Sequence, residues 1–159
     1  RVPEFAGGHH ERMDGKGYPR GLTREQMSVP ARVMGIADVF EALTAADRPY
    51  KHGKTLSESL TILGRMKLDH HVDPDLFEVF LRERVYLEYA HRFLPPEQID
   101  RIDWSKIPGV SPELAADQAR QLARGHLEAA IGHADALPNK AGALLTEFAF
   151  ALVKRVKSA

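Results

Sequence analysis

Two adjacent histidines, His9 and His10, occur in the stretch GGHHERMDGKGYPRGL, and the carboxylates Glu11 and Asp14 follow closely. A third carboxylate, Asp38, lies among apolar residues, and we expect it to be partly buried. A buried carboxylate has to be paired or bound to a metal. Imidazole nitrogens and carboxylate oxygens are ligands that iron, manganese, zinc and magnesium accept. The pattern predicts that His9, His10 and Asp38 form part of a metal site, and a structural role for the histidine pair is the alternative.

The composition narrows the classes of protein to consider. The chain has 159 residues, a formal net charge of +0 and no cysteine, which excludes disulfides and thiolate metal sites. The balanced charge favours neither a nucleic acid nor a membrane surface as a partner. We find no apolar run long enough to span a bilayer and no signal peptide, so we expect a cytoplasmic location and no membrane contact.

The elements that must position these residues are predicted to be helices. From Val29 onwards, apolar residues recur at spacings of three and four, and Asp47-Arg48-Pro49 should end that helix. Further helix starts combine a capping side chain with a glutamate or a proline: Thr55 with Glu58, Asp73 with Pro74, and Ser111 with Pro112.

The composition changes after about residue 104. An alanine-rich helix with Ala115 and Ala119 near one face is followed by a break at Leu137-Pro138-Asn139 and a last amphipathic helix. These two helices are predicted to form an antiparallel hairpin that serves packing or dimerisation. We therefore predict an all-α protein with two parts, 1–104 and 105–159. The histidines at positions 70, 71, 126 and 133 are expected to be structural or surface residues.

Four ordered motifs resemble those of one protein family, the HD-GYP domains. His9–Leu22 resembles the signature HHExxDGxGYPxGL, and Ala31–Thr44 resembles the helix ARxxxIADVFxALT. Asp47–Lys51 resembles the continuation DRPYK, and Asp73–Phe77 fits the helix start DPxLF. The resemblance extends over about residues 2–103, and it implies that these residues are the downstream part of a helical HD-type bundle.

The resemblance also implies an activity and a set of site residues. Active HD-GYP domains are phosphodiesterases for cyclic di-GMP, a bacterial second messenger, and they use two or three divalent metal ions, commonly iron or manganese. By position, His9, His10 and Asp38 resemble metal ligands, with Asp38 at the catalytic centre. The residues that resemble the substrate-binding part are Asp14, Gly17, Tyr18, Pro19, Arg48 and Lys51.

The resemblance assigns more specific parts to some of these residues. Gly15 and Gly17 would allow positive φ angles in the loop. The Tyr18 ring would pack on a guanine or on a partner protein, or else close a small core of the loop. Arg48 and Lys51 would meet the substrate phosphate, and a solvated turn without a ligand is the alternative.

The His-Asp dyad for which the family is also named does not occur before His9 in this sequence. Three ligands cannot form the two-metal clamp that the hydrolysis needs. We therefore expect the chain to be a piece of a longer protein, or else an inactive half-site. We also expect Phe40, Leu60 and Phe77 to need upstream helices to pack against.

Three functions remain open at this point. The first is part of a cyclic di-GMP phosphodiesterase. The second is an inactive signalling module that docks partners, such as diguanylate cyclase (GGDEF) domains, through the Gly-Tyr-Pro loop. The third is a hydrolase of another nucleotide or phosphate ester, and the Gly17-Tyr18-Pro19 loop argues against it. A homodimer is expected through the C-terminal hairpin.

Overall fold

The computed structural model describes residues 8, 10–45 and 53–125. In these ranges the chain forms five α-helices and no β-strand, which confirms the predicted all-α fold. The helices are α1 (Val29–Thr44), α2 (Leu56–Leu68), α3 (Pro74–Arg82), α4 (Val85–Phe93) and α5 (Pro112–Gly125). Three short 3₁₀ turns lie at Arg24–Gln26, Pro96–Gln98 and Trp104–Lys106. None of the described helices is both long and apolar enough to cross a bilayer.

The helix starts follow the predicted capping residues. The Ser28 hydroxyl accepts a hydrogen bond from the amide of Ala31 at the start of α1, where Pro30 occupies the first turn. Thr55 and Glu58 form the predicted capping box of α2, and Asp73 caps α3. Helix α1 ends at Thr44, and Asp47–Pro49 lie outside the described residues.

Helix α4 was not predicted from the sequence. The chain turns between α3 and α4 at Glu83 and Arg84, where Arg84 has a φ of 54°. This left-handed conformation is uncommon for a residue other than glycine or asparagine. Since no glycine or proline marks the turn, the apolar pattern alone does not reveal the break.

Helix α3 lies at the centre of the bundle and packs against α1, α2, α4 and α5. Phe40, Leu60 and Phe77 are fully buried in one core that these helices share. The Phe40 ring meets the Phe80 ring edge-on at 5.2 Å and the Tyr89 ring at 5.6 Å. The expectation that the three residues need upstream helices is therefore wrong, because the described helices already bury all three.

Helix α5 packs against the bundle with a face other than the alanine face, whose predicted contact with the last helix lies outside the described residues. Leu114 and Gln118 are buried, whereas Ala119 is exposed and Ala115 is only partly buried. Tyr86 on α4 holds this buried face of α5, because its hydroxyl donates to Gln118 Oε1 at 2.9 Å. The rest of the predicted hairpin lies outside the described residues.

One buried carboxylate joins three parts of the fold. Asp73 is fully buried; it accepts hydrogen bonds from the amides of Asp75 (2.9 Å) and Leu76 (3.1 Å) at the start of α3. It is also paired with Arg24 at 2.9 Å and with Arg32 on α1. Burial alone would raise the pKa of Asp73, but the hydrogen bonds from Arg24, Leu76 and Arg32 outweigh it and lower the pKa. The charged carboxylate therefore stabilises the contact between the N-terminal loop, α1 and α3.

This arrangement predicts a large loss of stability for Asp73→Ala. Removing one partner of a buried ion pair leaves guanidinium groups uncompensated and costs about 3 kcal/mol in unfolding free energy. Asp75→Ala is the control, because the Asp75 side chain is 78% exposed and also contacts Arg24; its loss should stay below about 1 kcal/mol. Chemical denaturation of both variants measures the difference.

The same ion pair predicts a pH dependence. Because the folded-state pKa of Asp73 is lowered, its stabilisation is fully present above the ordinary carboxyl pKa of about 3.9 and is lost as the pH falls through the folded-state value. The gap between the wild-type protein and Asp73→Ala should thus narrow below about pH 4. Equal losses for Asp73→Ala and Asp75→Ala, or a gap that stays constant with pH, would contradict this account.

Candidate metal and substrate site

The loop that carries the histidine signature is folded around the carboxylate of Glu11. This side chain is only 3% exposed. One of its oxygens accepts the amide of Arg20 at 2.7 Å, and the other accepts the amide of Leu22 at 2.8 Å. Glu11 therefore ties the beginning of the loop to its end. The acid beside the histidine pair thus has a structural role that its position in the sequence did not reveal.

Gly17 is required by a close approach of two backbone segments. A Cβ atom at this position would lie 2.3 Å from the amide nitrogen of Arg12 and 2.5 Å from the Cα of Glu11. The predicted positive φ is confirmed for Gly15, at +75°, but it is wrong for Gly17. Gly21, with a φ of +62°, is the second positive-φ glycine of the loop. Glycine at position 17 therefore serves packing rather than an unusual backbone conformation.

Asp14 is engaged inside the loop. Arg12 donates to both of its carboxylate oxygens, at 3.1 and 3.0 Å, and the amide of Lys16 donates at 3.0 Å. The hydrogen bonds from Arg12 lower the pKa of Asp14 to about 2. Asp14 is thus ionised at neutral pH and holds the turn around Gly15, whereas a direct contact with substrate remains a prediction.

The loop is anchored to the turn between α2 and α3. The amides of Met13 and Asp14 donate to the carbonyls of His71 (3.3 Å) and His70 (3.1 Å). The His71 ring borders a small cavity beside Glu11, with a volume of about 10 Å³, which is about the space of one water molecule. Burial lowers the pKa of His71, because the charged ring would lose its hydration. The second histidine pair therefore supports the loop.

His10 and Tyr18 form the exposed tip of this loop. Their rings stack with centroids 4.8 Å apart at 22°, and the Tyr18 amide donates to the carbonyl of His10 at 3.3 Å. Tyr18 is 62% exposed, so the alternative in which it closes a small core is wrong. Pro19, joined to Tyr18 by a cis peptide bond, is also exposed. The tip therefore presents an imidazole and a phenol ring to the surroundings.

Asp38 is exposed, so the expectation that it is partly buried is wrong. The buried face of α1 includes Ile36, Ala37 and Phe40. Because a helix turns by about 100° per residue, a residue between apolar neighbours in the sequence can still point away from the core. The apolar residues on either side of Asp38 in the sequence therefore do not indicate whether its side chain is buried.

The described residues do not by themselves complete a metal site. Among residues 8, 10–45 and 53–125, no three His, Asp or Glu side chains come together as a metal-binding group. His9, Arg48 and Lys51 lie outside the described residues. The structure therefore places His10 and Asp38, which are exposed donors of suitable chemistry for iron or manganese, and it does not test the full ligand set.

Comparison with known proteins finds a matching family model for the N-terminal half. Residues 1–76 match the family model described as HD domain. This part of the chain is therefore similar to HD domains. The predicted resemblance is thus confirmed, and HD domains are metal-dependent phosphohydrolases.

Characterised relatives align with the same part of the chain. A 3'3'-cGAMP-specific phosphodiesterase of Vibrio cholerae is 46% identical over 81 residues, which cover 51% of this chain and 19% of the relative. A cyclic di-GMP phosphodiesterase of Pseudomonas aeruginosa is 43% identical over 74 residues, or 46% of this chain and 17% of the relative.

A cyclic di-GMP phosphodiesterase response regulator of Xanthomonas campestris is 44% identical over 84 residues, or 50% of this chain and 21% of the relative. The aligned segments thus make up about a fifth of the length of these three relatives. No solved structure matches the chain significantly.

The role of Glu11 predicts that Glu11→Gln loosens the loop. A glutamine has only one acceptor oxygen for the two amides, so one partly buried amide loses its partner, at a cost of about 1 kcal/mol. Amide hydrogen exchange at Arg20 and Leu22 should accelerate on substitution. Glu25→Gln, at an exposed position of the following 3₁₀ turn, serves as the control. Unchanged exchange in Glu11→Gln would contradict the proposed tie.

Proposed function

We propose that this chain is part of a metal-dependent phosphodiesterase that hydrolyses cyclic di-GMP, with His9, His10 and Asp38 as metal ligands. The observation that carries the proposal is the construction of the signature loop. Glu11 and Asp14 are engaged in hydrogen bonds within the loop, whereas His10 and Asp38 are exposed. His10 and Asp38 are therefore accessible to a metal ion, while Glu11 and Asp14 hold the loop that carries His10.

The remaining site residues have chemistry that suits a cyclic dinucleotide. Divalent metal ions, when bound, activate water and polarise phosphoryl oxygens. The exposed face of Tyr18 suits stacking on a guanine base. Arg48 would donate a bidentate pair of hydrogen bonds to a phosphate, and Lys51 would add a positive charge. Since the relatives' names include both cyclic di-GMP and 3'3'-cGAMP, turnover assays should include both dinucleotides.

The exposed tip of the loop also favours a second candidate function. Tyr18, Pro19 and Arg20 are all exposed, and such a segment can contact a protein as well as a ligand. In this alternative, the chain is a catalytically inactive module that docks a diguanylate cyclase (GGDEF) domain. A homodimer through residues 105–159 and a cytoplasmic location both remain predictions.

Metal content and turnover of the protein at its full encoded length test the first proposal. Purified without oxygen, the wild-type protein should hold at least two iron or manganese ions per chain. His10→Ala and Asp38→Ala should each lose metal, and turnover of cyclic di-GMP should fall at least about 100-fold, because loss of even a supporting residue of a metal site costs about 10–100-fold. His91→Ala, at an exposed position on α4, is the matched control and should change neither.

A different result would favour the docking module. Metal well below one ion per chain, unchanged in His10→Ala and Asp38→Ala, would contradict the enzymatic proposal. In that case a purified GGDEF domain should bind the wild-type protein, and Tyr18→Ala should weaken the binding.

A further inference from the structure

The rings of His10 and Tyr18 meet where two backbone segments of the signature loop cross. The Tyr18 amide donates to the carbonyl of His10 at 3.3 Å. A Cβ atom at Gly17 would lie 2.5 Å from the Cα of Glu11, so the two backbones are in close contact just beside the rings. The Arg20 amide donates to Glu11 Oε1 at 2.7 Å. Backbone contacts on both sides therefore hold the two residues next to each other.

The stacked arrangement leaves the nitrogen atoms of the imidazole accessible. The ring centroids are 4.8 Å apart and the ring planes differ by 22°, so the phenol ring of Tyr18 lies over one face of His10. The lone pair of a neutral imidazole nitrogen lies in the plane of the ring and points outwards from its edge. A ring on the face does not block that direction. Both side chains are exposed, so an ion in solution can reach His10.

Stacking also restricts the rotation of the imidazole. Rotation about the second side-chain bond of histidine has broad wells, so an exposed histidine ring samples many orientations. Histidines that bind metals are usually oriented by a second contact that fixes the ring. Aromatic pairs prefer offset-stacked or edge-on arrangements with centroids about 4.5–7 Å apart, and the pair of His10 and Tyr18 falls in that range. Tyr18 thus supplies a contact that selects one plane for the His10 ring.

We propose that Tyr18 is a positioning residue for His10, which stacks on the imidazole and presents a ring nitrogen to a divalent metal ion. This inference rests on the proposed assignment of His10 as a metal ligand. It gives Tyr18 a role before any substrate is present, since His10 covers only one of the two faces of the phenol ring. Stacking of Tyr18 on a guanine, or docking of a protein, would leave the metal affinity of the substrate-free protein unchanged.

The first test measures the affinity of the protein at its full encoded length for Mn²⁺, after removal of metal by a chelator and without any dinucleotide. Tyr18→Leu removes the aromatic face and should weaken Mn²⁺ binding about tenfold, the lower end of the effect of residues that orient metal ligands. Tyr18→Phe keeps the ring and should stay within about twofold of the wild-type affinity. Leu68→Ala is the control for loss of an exposed apolar side chain, because Leu68 is 58% exposed at the end of α2.

A double-mutant cycle tests whether Tyr18 acts through His10. His10→Ala should weaken Mn²⁺ binding at least as much as Tyr18→Leu does. In a protein that already carries His10→Ala, Tyr18→Leu should have no further effect, since residues that act through one contact are not additive.

A second measurement observes the stack without metal or substrate. In the metal-free protein labelled with ¹³C-histidine, the ring current of Tyr18 should shift the ring protons of His10 upfield, and His10→Ala identifies the signal by its loss. The upfield shift should persist in Tyr18→Phe and disappear in Tyr18→Leu. Neither turnover nor the presence of a metal ion affects this result.

The outcomes distinguish this inference from the function on which it rests. Weaker Mn²⁺ binding in His10→Ala but unchanged binding in Tyr18→Leu would overturn the positioning role alone, as would an equal loss in Tyr18→Phe and Tyr18→Leu. Unfolding of Tyr18→Leu in the absence of denaturant, with Tyr18→Phe still folded, would overturn it in favour of a role in stability. Mn²⁺ binding that does not change in His10→Ala would overturn the assignment of His10 as a ligand, and this inference with it, even if the ring shift is present.

Discussion

The carboxylate of Asp73 is the point at which the helical bundle and the signature loop are joined. It caps α3 through two amides, and it pairs with Arg24 after the loop and with Arg32 on α1. A buried charge is tolerated only where such partners replace its hydration. Because Asp38 lies on the same helix as Arg32, this ion pair also sets the position of the loop relative to Asp38. The relative placement of His10 and Asp38 thus depends on a residue that is not itself a candidate ligand.

Acidic residues in this region divide into two groups with different roles. Glu11, Asp14 and Asp73 have their carboxylates engaged in hydrogen bonds within the fold, while Asp38 is exposed on α1. A carboxylate that already accepts several hydrogen bonds is held in place and would need to give them up to bind a metal. The engaged carboxylates therefore build the scaffold, and the exposed one is the better candidate for chemistry.

The sequence predicted the features that depend on local interactions. Thr55 and Asp73 were predicted correctly as helix caps, because capping involves residues only two or three positions apart. The exposure of Asp38 could not be predicted, because it depends on which side of α1 faces α2 and α3. The break before α4 was missed because Arg84 adopts its left-handed conformation without a glycine.

Contacts between residues far apart in the chain could not be predicted from the sequence either. Gln98 bonds to the carbonyl of Thr44, which is 54 residues away, and to that of Lys54, which is 44 residues away. No pattern in the sequence indicates these hydrogen bonds. The role of Gly17 likewise depends on a backbone approach to Glu11 and Arg12. The family motifs identified the residues of the candidate site, but they did not separate those that build the loop from those left exposed.

Anomalous X-ray diffraction from crystals of the full-length protein, collected at the iron and manganese absorption edges, tests the central claim most directly. We expect an anomalous peak within about 2.0–2.2 Å of a ring nitrogen of His10 and of a carboxylate oxygen of Asp38, the usual distance for such ligands. Crystals that contain iron or manganese but show no peak at His10 or Asp38 would contradict it.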